Sequence, residues 1–145
     1  MTMPVIAQIP IRSAADLAAR WSLLLEMSSG DGDRSLQHAA FTADGRQVPL
    51  LVPVDGISVR PVDDAAEGLA LLLNLFAEQA GPGGHVAQTL VRPGTPEVTE
   101  DDFAWLDLLT DLAVDLPSGT TWSLHLRTDG RLLPLAEPDT WMLGG

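Results

Sequence analysis

The sequence contains neither cysteine nor lysine, and both absences exclude chemistry. Without cysteine the chain has no disulfide framework, no thiolate metal site and no cysteine nucleophile. The eight basic residues are therefore all arginines, and with 20 acidic residues the formal net charge is −12 at pH 7. Because this charge repels phosphate backbones and no basic stripe interrupts it, we expect no nucleic-acid partner.

Long hydrophobic runs are also missing. The longest, near residues 69–76, is interrupted by Asn74 and is far shorter than the roughly 20 residues that cross a bilayer. The first ten residues carry no positive charge before an apolar segment, so they do not resemble a secretory signal. We therefore expect a cytoplasmic protein without a membrane partner.

The residues that are present are sufficient for one packed domain over residues 1–145. Apolar residues make up 46% of the chain, which is typical of a globular fold and argues against disorder. We expect residues 1–12 to form an extended N-terminal arm and residues 136–145 to form a C-terminal tail.

Start and stop signals predict three helices, over residues 13–27, 64–80 and 99–116. Ser13 with Asp16, and Thr99 with Asp102, are pairs that cap the first turn of a helix. Gly81 begins a Gly/Pro segment that stops the middle helix. Because that helix is apolar on most of its circumference, we expect it to be largely buried.

Five strands are predicted, over residues 35–42, 47–54, 85–92, 121–127 and 132–135. Asp-Gly pairs ending at Gly45 and Gly130 indicate two hairpins, since glycine adopts positive φ at little cost. Pro49 and Pro53 make the second strand an edge strand or a broken one. The order α-β-β-α-β-α-β-β predicts an α/β (α+β) fold, with a mixed sheet flanked by helices.

Two short segments carry a family resemblance. Residues 90–93 read Leu-Val-Arg-Pro, and Thr99 is followed by Asp102 at the start of the next helix. This pattern resembles the JAB/JAMM metallopeptidase-like fold, in particular its bacterial RadC-like branch. The resemblance implies a bacterial protein with a JAB/cytidine-deaminase-like sandwich over residues 34–135. That family has a hairpin, a long helix, a strand, a His-x-His-Pro loop and then Ser-x-x-Asp.

The departures from the family pattern concern its metal centre. The resemblance places the two zinc-binding histidines at Leu90 and Arg92, but leucine is no ligand and an arginine repels a cation. The early hairpin offers no general base, because no glutamate lies between Glu26 and Glu67. Asp102 alone remains, and one carboxylate does not hold zinc. The resemblance therefore implies a non-catalytic scaffold or interaction module without a cofactor.

Two other functions stay open from the sequence. A metal-assisted hydrolase would use rearranged ligands, namely Asp102, His85 and His125. A binder of a small anionic ligand would use Arg92 near the start of the third helix. We expect His125 to be half-exposed on the polar face of its strand.

The third helix suggests an interface. Asp107, Asp111 and Asp115 repeat every four residues and therefore stack on one face without a basic neighbour, at a cost of a few tenths of a kcal/mol per pair. We call these three carboxylates the acidic strip. We expect a protein partner or self-association through the acidic strip together with Trp105 and Trp141.

Overall fold

A computed structural model describes residues 9–27, 34–62, 64–117 and 119–138. The helices span Ala14–Met27 (α1), Ala65–Ala80 (α2) and Glu100–Ala113 (α3). The strands span Ser35–Phe41 (β1), Val52–Asp55 (β2), His85–Val91 (β3), Thr121–Thr128 (β4) and Arg131–Ala136 (β5). The element order and the α+β class with a mixed sheet are thus confirmed, whereas the expectation for Trp141 lies outside the described residues.

Local signals in the sequence fix the element ends. The hydroxyl of Ser13 accepts the backbone N–H of Asp16 at 3.1 Å, which caps α1. Gly45 has a φ of +85°, and a Cβ there would lie 2.2 Å from the carbonyl oxygen of Ile11. The first hairpin therefore requires glycine, both for its backbone conformation and for the close passage of the residues before α1.

The strands form one sheet in the order β2-β1-β3-β4-β5. β1 is antiparallel to β2 and β3, β3 is parallel to β4, and β4 is antiparallel to β5. β2 is an edge strand, as its prolines predict, but it is shorter than the expected residues 47–54. After the bridge between Phe41 and Gln47 the chain leaves the sheet and returns at Val52, since Pro49 has no N–H for a ladder bond.

Helices cover both faces of the sheet. α1 packs on one face with Ala39, Phe41 and Ala87. α2 and α3 pack on the other face, where the apolar core includes Leu36 and Leu90. The fold therefore has three layers, and its two helical layers differ in size.

The middle helix departs from the expectation of burial. Leu69, Leu73 and Phe76 are buried, but Leu71 is 68% exposed and Leu75 is 42% exposed. The reason is geometric, because a helix that lies on a sheet contacts it along one side only. The described helices are too short or too polar to cross a membrane.

Candidate functional site

The site at which the resemblance places a metal contains a buried ion pair. Arg92 directly follows β3, and Asp102 lies in the first turn of α3. Arg92 donates from Nε to Asp102 Oδ1 and from Nη2 to Asp102 Oδ2, both at 2.8 Å. The two side chains are 5% and 0% exposed. Such a two-point contact is the strongest geometry available to a guanidinium and a carboxylate.

Arg92 has no donor left for a ligand. Its remaining hydrogens go to the backbone carbonyls of Pro93, Thr95 and Glu97, at 2.8–3.1 Å. A guanidinium has five N–H donors, and all of them are used within the chain. The expected role of Arg92 in binding an anion is therefore wrong, and this side chain instead shapes the loop that precedes α3.

The Asp102 carboxylate is likewise held by hydrogen bonds within the chain. Its Oδ2 also accepts the backbone N–H of Thr99 at 2.9 Å, while its own N–H donates to the Thr99 hydroxyl at 3.2 Å. The predicted cap of α3 is thus a complete capping box. Burial favours a higher pKa for Asp102, but the hydrogen bonds from Arg92 and Thr99 outweigh it and hold the pKa below its ordinary value.

The metal ligands of the hydrolase alternative do not converge. His85 and His125 occupy strand positions on the α1 face of the sheet, where His125 is paired in register with Thr89. Leu90 and Arg92 alternate with these positions and face α3, where Asp102 lies. Within the part of the chain that the structure describes, no three histidine or acidic side chains are grouped to hold a metal ion.

A buried serine–histidine contact was not predicted from the sequence. Ser123 Oγ lies 2.8 Å from His85 Nε2, and Thr121 Oγ1 lies 2.7 Å from His85 Nδ1. A serine beside an imidazole is the pairing that activates a nucleophile. Here both residues are fully buried, so the contact has no access to a substrate. The only signal for this contact in the sequence is that β3 and β4 both carry polar residues at alternate positions.

The histidines are more buried than the alternation of residues indicates. His125 is 2% exposed rather than half-exposed, because the face on which it lies is covered. Burial lowers the pKa of His125 to about 4, and burial together with the nearby His125 lowers the pKa of His85 to about 3. Both imidazoles are therefore neutral at pH 7.

His38 belongs to a hydrogen-bonded chain beneath α2. Trp122 can only donate, and its Nε1 lies 2.8 Å from Gln88 Oε1, so the amide nitrogen of Gln88 faces His38 Nε2 at 3.0 Å. His38 Nε2 must accept, and its Nδ1 donates to the carbonyl of Val52 at 3.2 Å. Burial lowers the pKa of His38 to about 4. The network thus holds one neutral tautomer.

The structure separates the residues expected at the interface. The three members of the acidic strip are exposed. Trp105, in contrast, is 2% exposed and donates to the carbonyls of Ser58 and Val59 at 3.2 and 3.1 Å. Trp105 is therefore a core residue, because it lies on the side of α3 opposite the acidic strip. Phe103, which is 52% exposed, is the aromatic side chain that α3 presents to solvent.

The chain matches no protein-family model, no curated protein and no solved structure. We therefore infer function from two features of the structure, the buried pair of Arg92 with Asp102 and the exposed side of α2 and α3.

Proposed function

We propose that this chain is a non-catalytic interaction module built on a JAB-like framework. The observation that carries the proposal is the buried pairing of Arg92 with Asp102, the two residues to which the resemblance assigns positions at a metal centre. The hairpin, the long helix, the strand, the loop and the capped helix follow one another as the resemblance implies. An ion pair takes the place of the ion, so that the loop and α3 keep their positions without zinc.

The binding surface of the proposed module is the exposed side of α2 and α3. Arg92 is the one lysine or arginine between Arg60 and Arg127, and its charge is neutralised by Asp102. Asp107 and Asp111 are thus left without a basic neighbour on α3, and Asp115 follows in the turn after the helix, which ends at Ala113 rather than at the predicted residue 116. A partner that carries positive charge would relieve this repulsion and find the surface by electrostatic attraction.

Restoring the missing ligands tests the framework. We expect the double variant Leu90→His with Arg92→His to bind about one zinc ion per chain, because the two imidazoles and the freed carboxylate of Asp102 supply three ligands. Metal content and the melting temperature with and without zinc are the measurements.

Leu90→His alone is the matched control, since it keeps the ion pair and should take up no zinc. Zinc binding in the double variant should also disappear with Asp102→Asn. A double variant that gains neither zinc nor thermal stability with zinc contradicts the JAB-like framework.

Reversing charge on the acidic strip tests the surface. We expect Asp107→Arg with Asp111→Arg to abolish the salt-sensitive capture of partner proteins by the immobilised chain. Captured proteins are identified by mass spectrometry, and sedimentation velocity reports self-association.

A matched double variant, Glu26→Arg with Glu137→Arg, changes the net charge equally at exposed positions elsewhere. Loss of capture with both double variants would indicate a nonspecific effect of charge. Unchanged capture and sedimentation in the strip variant would show that the acidic strip is not the binding surface.

A further inference from the structure

The exposed side of α2 and α3 carries large apolar residues as well as carboxylates. Leu71 and Leu75 are exposed on α2, Phe103 is exposed on α3, and Val114, the residue directly after α3, is 76% exposed. Scattered apolar side chains are normal on a surface, but three of these four lie on the outward faces of two adjacent helices and the fourth directly follows one of them. We call these residues, together with the acidic strip, the α2–α3 surface.

The topology aligns the two helices. Each precedes one strand of the parallel pair β3 and β4, so α2 and α3 run in the same direction. Leu69 of α2 packs in one cluster with Trp105 and Leu109 of α3, and Leu112 packs against the cluster that contains Phe76. Each turn of α2 therefore lies beside the corresponding turn of α3, and the outward faces of the two helices form one continuous surface.

The charge of this surface has one sign. α2 and α3 contain no lysine or arginine, and neither has a basic residue in its last turn. Both helices end near the first residues of β3 and β4, at the end of the sheet where His85 pairs with Thr121. Their C-terminal dipoles add negative charge beside Glu78, which lines a groove of about 360 Å³ with Pro82 and Pro117.

The described helices of a second copy do not match this surface. Among the described helices, only α1 contains an arginine, and that residue, Arg20, is 4% exposed. None of the described helices of a second copy can therefore present positive charge beside exposed apolar residues. The complementary occupant is a helix with lysine or arginine on two flanks and leucine-like residues between them.

Resting on the proposed function, we propose that the α2–α3 surface binds a basic amphipathic helix of a partner protein. Its apolar side covers Leu71, Leu75 and Phe103, and its cationic side chains oppose Asp107 and Asp111. Amphipathic helices dock their apolar side on a hydrophobic surface through anchors at i, i+3, i+4 and i+7 of the bound helix. The distance from Phe103 to Val114 along α3 is about 16 Å, which three turns of a bound helix span.

A synthetic probe tests the chemistry of the occupant. The probe is a fluorescent peptide of about 16 residues, roughly four turns, with leucine on one helical face and lysine on the other. Fluorescence anisotropy measures its binding to the full chain at about 0.15 M salt. Two control peptides have the same leucine and lysine content in scrambled order, or glutamate in place of lysine.

We expect the amphipathic peptide to bind at least about tenfold more tightly than the scrambled one, and the glutamate peptide not to bind. Leu71→Gln with Leu75→Gln should weaken binding by about tenfold, whereas Ile9→Gln, at an exposed apolar position on the other side of the sheet, should not. Asp107→Asn with Asp111→Asn should weaken binding and reduce its salt dependence.

The outcomes separate the two proposals. If both lysine peptides bind equally, or the leucine variants have no effect, while the aspartate variants weaken binding, the helical occupant is wrong and the acidic surface stands. If the aspartate variants change neither affinity nor salt dependence, the α2–α3 surface is not the binding surface, and both proposals are wrong. The helical occupant is supported if the amphipathic peptide binds selectively and both the leucine and the aspartate variants weaken that binding.

Discussion

Replacing Arg92 by alanine is expected to lower the free energy of unfolding by about 3–5 kcal/mol, because the variant leaves the Asp102 carboxylate buried without its counter-ion. The loss extends beyond the ion pair. The carbonyls of Pro93, Thr95 and Glu97 lose their shared donor, so the loop before α3 is expected to loosen. Urea unfolding followed by circular dichroism measures the change in free energy.

An exposed ion pair whose carboxylate also lies in the first turn of α3 is the matched control. Arg60 and Asp101 lie 3.4 Å apart, and the Arg60 side chain is 62% exposed. Arg60→Ala is expected to cost less than about 1 kcal/mol, because water and salt screen such pairs. An equal loss at Arg92 and Arg60 would mean that the Arg92–Asp102 contact has no special structural role.

A double replacement separates the charge from the fold. Arg92→Met with Asp102→Leu removes both charges and keeps apolar volume, so it is expected to recover part of the stability lost by Arg92→Ala. Recovery stays incomplete because the three loop carbonyls still lack their donor and the N–H of Thr99 loses its acceptor, the Asp102 carboxylate. No recovery would indicate that loop contacts, rather than the buried carboxylate, dominate the loss.

The element order was predictable because its signals are local. Gly45 marks a hairpin, Gly81 ends a helix and Thr99 with Asp102 starts one, and each acts within a few residues. Strand order was not predictable in this way, since pairing depends on distant segments. β1 is buried along its whole length, so alternation of polar and apolar residues did not reveal its faces.

The candidate site was only half predictable. The resemblance locates Arg92 and Asp102 at one position, and opposite charges assigned to one buried position are a signal for an ion pair. From the sequence, Arg92 is expected to repel a metal or to bind an anionic ligand, and neither expectation identifies Asp102 as its partner. Trp105 was misplaced because periodicity alone does not tell which side of an amphipathic helix faces the sheet when apolar residues cover most of it.

Lowering the pH from about 7.5 to 5 is expected to destabilise the chain steeply through its three histidines. His38, His85 and His125 have folded-state pKa values of about 4, 3 and 4, below the ordinary 6.5. Between those values and pH 6.5 the unfolded chain binds protons that the folded chain excludes. The stabilisation is therefore complete above pH 6.5 and is lost as pH falls towards 4.

The expected size of this effect is large for a small domain. One pKa unit corresponds to about 1.4 kcal/mol, so a histidine shifted from 6.5 to about 4 contributes on the order of 3 kcal/mol. Domain stabilities are about 5–15 kcal/mol, so unfolding near pH 4–5 is expected. Protonation of carboxylates relieves the repulsion of the −12 charge, but it occurs mainly at the low end of this range.

His38 offers the sharpest test of the cause. Protonation of its Nε2 would set an N–H against the amide N–H of Gln88, so this site resists the proton through both burial and geometry. We expect His38→Gln to lower stability at pH 7.5 and also to flatten the pH dependence, because one fewer proton is taken up on unfolding. Urea unfolding at several pH values gives that proton uptake directly. A wild-type stability that stays constant between pH 7.5 and 5 would contradict the assignment, because buried neutral imidazoles require a slope in this interval.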